Sequence, residues 1–529
     1  MKGCLVILGG LLAMTLLHVP AARAASCESL ATLALPHTTI TLANVVDQGA
    51  YIVFPAGRRG LPPAGPPARG TGAADAQGRS GRGGAPASPF ADLPAFCRVT
   101  ATLMPSDDSD IKMEIWMPVG GWNGKFVIPG NGGFAGAIAP AGLAAALRGG
   151  YAAATTDTGH EGGSGRFMLD HPEKLTDFAE RAVHELAVNG KALVAAFYGA
   201  GPRFSYFNGC STGGRQALTA AQRFPDDFEG IVAGAPAIYA SHQTAAQIWT
   251  WQATHKDQAS FIPASKYQVL HDAALAACDA LDGVKDGVLE DPTRCKFDPK
   301  VVQCKDGDGP ACLTAAQVEA ARKIYTGPKN PRTGEQIFSP LFPGSELGWA
   351  ASAGAQPVGY AIDFFRYVVF RDPNWDPMTL NYDSDIAKAD QVAGPLTVID
   401  RDLTRFLHHG RLLMYTGWGD PGIPPGYLAD YYKNVVAKTK DRNLRDAVRL
   451  FMVPCMGHCG GGEGTSTFDM LGALDQWVER GKAPDLIAAS RVRDGIVDRT
   501  RPLCPYPQVA TYKGNGSTDD AASFVCKVR

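Results

Sequence analysis

Residues 206–218 read YFNGCSTGGRQAL, and within them Gly209-x-Ser211-x-Gly213 has the spacing of a serine nucleophile on a tight strand-to-helix turn. Such a turn is sharp and strained, so it needs small residues two places before and after the serine. It also needs a strand before and a helix after, and YFN and RQALTAAQRF read that way. In a chain with 61 glycines the pattern alone is weak, a plain glycine-rich turn being the alternative, and the flanking elements give it force. A serine hydroxyl is a weak nucleophile that needs a base, and the base needs an orienting carboxylate. In sheets that carry a nucleophile on such a turn, the chain order is serine, acid, histidine. Asp420, in GWGDPGIPP after the run RLLMYTG, and His458, in MGHCGGG after VRLFMVP, fit that order as acid and base. His160 in TDTGH comes too early for the base and is read as lining the pocket; His408 and His409 precede a strand; Asp430 falls on a predicted helix. Backbone N–H groups must also hold the charge that develops on a carbonyl oxygen. Thr212, after the serine, is one expected donor, and Gly132 in the glycine segment 130–133 is the other.

Cys210 stands beside Ser211, and Cys459 stands beside His458. A disulfide between them would tie nucleophile to base and limit drift of their hydrogen bond, where about 1 Å costs on the order of a hundredfold in rate. A free buried Cys210 is the alternative. Twelve cysteines occur in all, and Cys4 lies in an apolar leader, so eleven remain and at least one is unpaired within the chain. Close spacings suggest local loops for Cys304 with Cys312, Cys278 with Cys295, and Cys504 with Cys526. No CxxC pair or His/Cys ligand set argues for zinc.

These residues need elements to carry them. Residues 1–24 read as a signal peptide: Lys2, the apolar run CLVILGGLLAMTLLHV, and Ala22-Arg23-Ala24 before a mature start near Ala25. An uncleaved anchor, or a lipoprotein acylated at Cys27, fits less well. An exported chain can form disulfides. The strands TTITLANVV, AYIVFPA, CRVTATLMP and IKMEIWMP are expected first, interrupted over 57–90 by a Gly/Pro/Ala/Arg/Ser segment too poor in apolar residues to order itself. Strands then alternate with helices: GKFVIPGNGG, YAAATTDTGH, a helix over 172–198, RFSYFNGCS, its following helix, and FEGIVAGAPA. The rhythm stops over 238–398, returns at RLLMYTGWGDP and VRLFMVPCMGHCGGG, and continues in a helix TFDMLGALDQWVERG and a β-like tail. The expected fold class is α/β: one α/β-hydrolase domain built from 25–237 and 399–529, with a large inserted lid over 238–398. A net charge of −2 with 45% hydrophobic and 19% charged residues gives no basis for a nucleic-acid partner or an anionic membrane surface. After leader removal no segment is apolar enough to cross a bilayer, and nothing specifies an oligomeric state.

Taken together, GCSTGG, GWGD and GHC resemble the tannase and feruloyl esterase family, which includes a bacterial mono(2-hydroxyethyl) terephthalate hydrolase. GNGGFAG, TDTGH and RDPNWD extend the resemblance over nearly the whole mature chain. It implies a secreted or periplasmic serine carboxylic-ester hydrolase acting on small esters of aromatic acids, feruloyl or galloyl in type. Terephthalate half-ester hydrolysis is the neighbouring alternative, and a non-catalytic calcium-dependent binding protein is the alternative of another class. It implies the disulfides Cys210–Cys459, Cys27–Cys97, Cys278–Cys295, Cys304–Cys312 and Cys504–Cys526, which leaves Cys455 over, near enough to His458 to be a second partner for Cys210. It also implies a structural calcium ion in the lid, at CDALDGVKDGVLEDP. There Asp279, Asp282 and Asp286 offer carboxylates around a glycine turn, and Val284 and Val288 offer carbonyls, all hard oxygen donors. Phe364, Phe365, Arg366 and Tyr367 are expected to meet the substrate, the aromatics by stacking and the guanidinium at a carboxylate or phenol; an ordinary apolar lid core is the alternative.

Overall fold

The computed structural model describes residues 24–52 and 88–528. The expected leader and most of the expected disordered loop therefore lie outside the described residues. At the end of that loop, residues 88–90 are part of the fold: the Phe90 ring is buried edge-on against Tyr51.

One nine-stranded sheet organises the chain: β1 Thr38–Val46, β2 Phe96–Leu103, β3 Ile111–Pro118, β4 Lys125–Pro129, β5 Ala152–Thr156, β6 Phe204–Cys210, β7 Gly230–Gly234, β8 Arg411–Gly417 and β9 Val448–Val453. Its order is β1-β2-β3-β5-β4-β6-β7-β8-β9. The first three strands form an antiparallel meander, and β3 joins β5 antiparallel. From β5 to β9 all neighbours are parallel. This is the α/β-hydrolase arrangement expected from the sequence. Parallel strands covered by helices on both faces read as near-continuous apolar runs, as KFVIP and VRLFMV do. Successive side chains point to opposite faces. Ile128, Phe207, Ile231, Leu412 and Leu450 therefore enter one core, with helices Ala182–Tyr198 and Thr212–Arg223. Val127, Tyr206, Val232, Leu413 and Phe451 enter the other, with helices Pro140–Arg148 and Met470–Arg480. In register, Cys210 pairs with Gly234, Gly234 with Tyr415, and Gly417 with Val453. The chain thus leaves β6, β8 and β9 along one edge.

The insertion leaves the sheet domain at Ile238 and returns at Val398, where Val398 N donates to Ile238 O (2.7 Å). It is mainly helical. Its first helix, Ala240–His255, escapes sequence reading because it is buried nearly all round by short polar side chains such as Ser241, Gln243, Thr244, Gln247, Thr250 and Thr254, and so has no apolar stripe. The run AYIVFPA is not a strand where it is described: Tyr51 and Ile52 lie outside any strand. The β-like tail from Arg501 is a hairpin, Gln508–Tyr512 with Phe524–Val528, tied by Cys504–Cys526, and a further hairpin, Ile487–Arg493 with Ile496–Leu503, precedes it. No helix among the described residues is long and apolar enough to cross a membrane.

Candidate active site

Ser211 sits between β6 and the helix Thr212–Arg223 with φ 64° and ψ −122°, a conformation sparsely populated by residues with a side chain. The surroundings over-determine it. Ser211 N donates to Gly234 O at the end of β7, and Arg215 N and Ala237 N both donate to Ser211 O. The glycines are needed for close approach. A Cβ on Gly209 would lie 2.6 Å from the Gly213 carbonyl carbon, and one on Gly130 would lie 2.6 Å from Gly213 Cα.

His458 comes from the loop after β9, and its Nε2 lies 2.9 Å from Ser211 Oγ. Its Nδ1 lies 2.8 Å from Asp420 Oδ2, in the loop after β8. A carboxylate facing Nδ1 fixes the proton there and leaves Nε2 free to accept. Asp420 is fully buried, and its other oxygen accepts from Gly422 N and Ile423 N at 2.8 and 2.9 Å. Burial pushes the His458 imidazole toward neutrality, but the hydrogen bond and charge of Asp420 outweigh it, and the pKa is raised.

The glycine segment after β4 lies against the elbow. Gly213 N donates to Asn131 O (2.8 Å), and Thr212 Oγ1 donates to Gly133 O (2.9 Å). Buried Gln216 and Asn131 exchange two more bonds, Asn131 N to Gln216 Oε1 and Gln216 Nε2 to Asn131 Oδ1. Gly132 faces open space at its Cα. The Thr212 N–H, the first of the elbow helix, has no intrahelical acceptor. His160 braces this loop: Nε2 bonds Phe134 O at 3.0 Å, and the ring stacks on Phe167. Burial lowers its pKa against the raising effect of its backbone hydrogen bonds.

A sequence profile described as "Tannase and feruloyl esterase" matches residues 97–527. The chain belongs to this family. It is 39% identical to an uncharacterised esterase of Xanthomonas campestris pv. campestris, over 99% of this chain and 95% of that one. It is 34% identical to a probable feruloyl esterase B-2 of Aspergillus terreus, over 82% of this chain and 86% of that one. The crystal structure of feruloyl esterase B from Aspergillus oryzae superposes with a TM-score of 0.83 at 31% identity, covering 95% of this chain and 99% of that one. The protein is a carboxylic ester hydrolase of the feruloyl esterase and tannase type.

Among the described residues of this esterase five disulfides form with the pairings that the family resemblance implies: Cys27–Cys97, Cys210–Cys459, Cys278–Cys295, Cys304–Cys312 and Cys504–Cys526. The bond between Cys210 and Cys459 holds Cα atoms 6.0 Å apart and joins the residues next to Ser211 and His458. Cys455 takes no part in it, contrary to the second pairing left open by the sequence. It is free and buried among Cys278, Val288, Leu289 and Cys295, its Sγ accepts from Leu289 N, and burial pushes the thiol up to about 12.

The residues expected at the substrate are arranged differently. Phe364 and Phe365 are 0% exposed in the core of the insertion, where Phe365 stacks on Trp375. A ring with no accessible face cannot stack on a ligand, so these two are core residues. Arg366 Nε donates to Trp375 O, and Tyr367 is half-buried. Tyr360 of the insertion, which is not among the expected substrate contacts, stacks on Phe134 after the glycine segment with centroids 4.2 Å apart. No local signal marks it.

At the acidic loop, Asp279 accepts from Gly287 N, Asp282 from Val284 N and Asp286 from Val288 N. Asp286 also pairs with buried Arg501, which reaches Glu290 too. Burial raises Asp282 to about 6, and the charges of Asp286 and Asp279 add to the rise. Among the described residues no three acidic, His or Cys side chains already converge as a metal cage, so backbone carbonyls have to complete any such set. The Asp282 and Asp286 carboxylates are buried and repel one another, and carboxylate oxygens are the hard donors that a divalent cation takes.

Proposed function

We propose that this esterase is exported and works through a Ser211-His458-Asp420 triad and an acyl-enzyme, on small esters of aromatic acids of the feruloyl or galloyl kind. The observation that carries the reading is the continuous pair of hydrogen bonds from Ser211 Oγ to His458 Nε2 (2.9 Å) and from His458 Nδ1 to Asp420 Oδ2 (2.8 Å) at a strained elbow. His458 takes the hydroxyl proton as Ser211 attacks the ester carbonyl. Asp420 holds the imidazole and stabilises its cation, and the N–H groups of Thr212 and Gly132 receive the oxyanion. His458 then protonates the departing alcohol. Water then attacks the acyl carbonyl while giving a proton to His458, and His458 returns that proton to Ser211 Oγ as the bond to the serine breaks and the acid leaves. The aromatic acyl preference rests on the named feruloyl esterase relatives. Export is supported by five disulfides, which persist in oxidising compartments.

Initial rates on methyl ferulate, methyl gallate, mono(2-hydroxyethyl) terephthalate and a short nitrophenyl ester, with mass analysis of acid-quenched samples, test this reading. The expected result is preferred turnover of one aromatic ester and its acyl group on the Ser211 peptide. Turnover without any trapped acyl-enzyme, under conditions where deacylation limits the rate, would count against it.

In the same reading Asp279, Asp282 and Asp286, with the carbonyls of Val284 and Val288, hold a calcium ion. When bound, it would stabilise the insertion and take no part in ester cleavage. Calcium at about a hundred times its Kd would then stabilise the native state by about 2.7 kcal/mol. Chelation should lower Tm, and Asp282→Asn should abolish the calcium response while leaving initial rates unchanged at low temperature. A Tm indifferent to calcium and chelator would remove the ion from the reading.

A further inference from the structure

Asp420 is oriented by two N–H groups, and both belong to peptide units that the insertion grips from the other side. Gly422 N and Ile423 N point at Asp420 Oδ1. In a planar trans peptide the C=O points opposite to the N–H. The carbonyl of the Pro421–Gly422 unit accepts from Ser352 Oγ at 2.5 Å, and that of the Gly422–Ile423 unit accepts from Gln247 Nε2 at 2.7 Å. Ser352 and Gln247 are both buried, and both belong to the insertion. Gly422 also lies against the imidazole: a Cβ there would be 3.8 Å from His458 Cγ.

We propose that Gln247, seconded by Ser352, is a positioning residue that fixes the direction of the Asp420 carboxylate. The insertion is then part of the proton-transfer apparatus. The proposal rests on the reading of Asp420 as the orienting acid. Among the described residues the Oε1 of Gln247 is buried without a hydrogen-bond partner, so the amide is held by one bond, from Nε2 to the Gly422 carbonyl. What the amide supplies is a donor at one carbonyl.

The test is a double-mutant cycle. Gln247→Met keeps the length and removes the donor, Ser352→Ala is the second variant, and each is also made in the Asp420→Asn background. Gln247→Met is expected to lower kcat about ten- to a hundredfold, with KM within about twofold and Tm lowered by no more than the stranding of one carbonyl explains. The acid limb of the kcat/KM profile should move to lower pH, because a looser Asp420 raises the His458 pKa less. Ser352→Ala should act in the same direction. In Asp420→Asn, neither change should have further effect, since residues that act through one group are not additive. Wild-type kcat and acid limb in Gln247→Met, or a loss that adds fully to that of Asp420→Asn, overturns the proposal. An Asp420→Asn enzyme with wild-type activity would instead overturn the triad reading beneath it.

Discussion

Ser211→Ala is expected to lower kcat by about a millionfold with little change in KM. The substitution removes the proposed nucleophile: Oγ, held 2.9 Å from His458 Nε2 and carried on a turn at φ 64°. It leaves the Gly132 and Thr212 peptides in place, so a residual rate about 10³- to 10⁴-fold above that of water alone should survive from binding and oxyanion stabilisation. His458→Ala should cost about as much, and the double variant little more, because nucleophile and base act as one unit. The fold should tolerate the change. The strained backbone is fixed by the Gly234, Arg215 and Ala237 contacts and not by the hydroxyl. Stopped-flow and long-time assays on the preferred aromatic ester, with Tm as control, decide the matter. A folded Ser211→Ala protein that keeps more than about a hundredth of the wild-type kcat would mean that another group attacks the ester.

The part of the site that was legible in the sequence is the part written in short-range spacing and chain order. Gly209-x-Ser211-x-Gly213 must be local because the turn is local. Asp420 and His458 could be placed because each follows an apolar run that becomes a parallel strand, and parallel strands in one sheet end on one edge. The cysteines beside Ser211 and His458 added a second, independent link. Illegible were the features set by contacts distant in sequence. The Asn131–Gln216 exchange spans 85 positions, and the grip of Gln247 on Gly422 spans 175. The helix that carries Gln247 has no amphipathic stripe to announce it. The pair Phe364-Phe365 reads equally as a binding patch or as core, and only its packing against Trp375 decides for core. Phe90 shows the same effect on a smaller scale: at the end of a segment whose composition argues against order, one ring finds Tyr51 and is buried.

Asp420→Asn is expected to lower kcat/KM by about ten-thousandfold near neutral pH while leaving the fold and KM nearly intact. The reason is a proton, not a lost contact. Asp420 Oδ1 accepts from Gly422 N and Ile423 N, so the asparagine carbonyl will take that side and turn its NH₂ toward His458 Nδ1. An NH₂ donates, so Nδ1 must accept, and the ring proton moves to Nε2. His458 then faces Ser211 Oγ as a donor and cannot take its proton. The pH profile should change as well, with a definite sign. In the native enzyme Asp420 raises the His458 pKa against burial, and with His458 as the proposed base kcat/KM should fall as pH drops through that raised value, because a protonated imidazole is no base. Without the carboxylate only the lowering effect of burial remains, so the acid limb of the residual activity should shift to lower pH. Activity lost without that shift would assign Asp420 to loop structure. A shift without the large loss would mean that its charge matters but its control of the tautomer does not. The two readouts together separate what the carboxylate does to the proton from what it does to the loop.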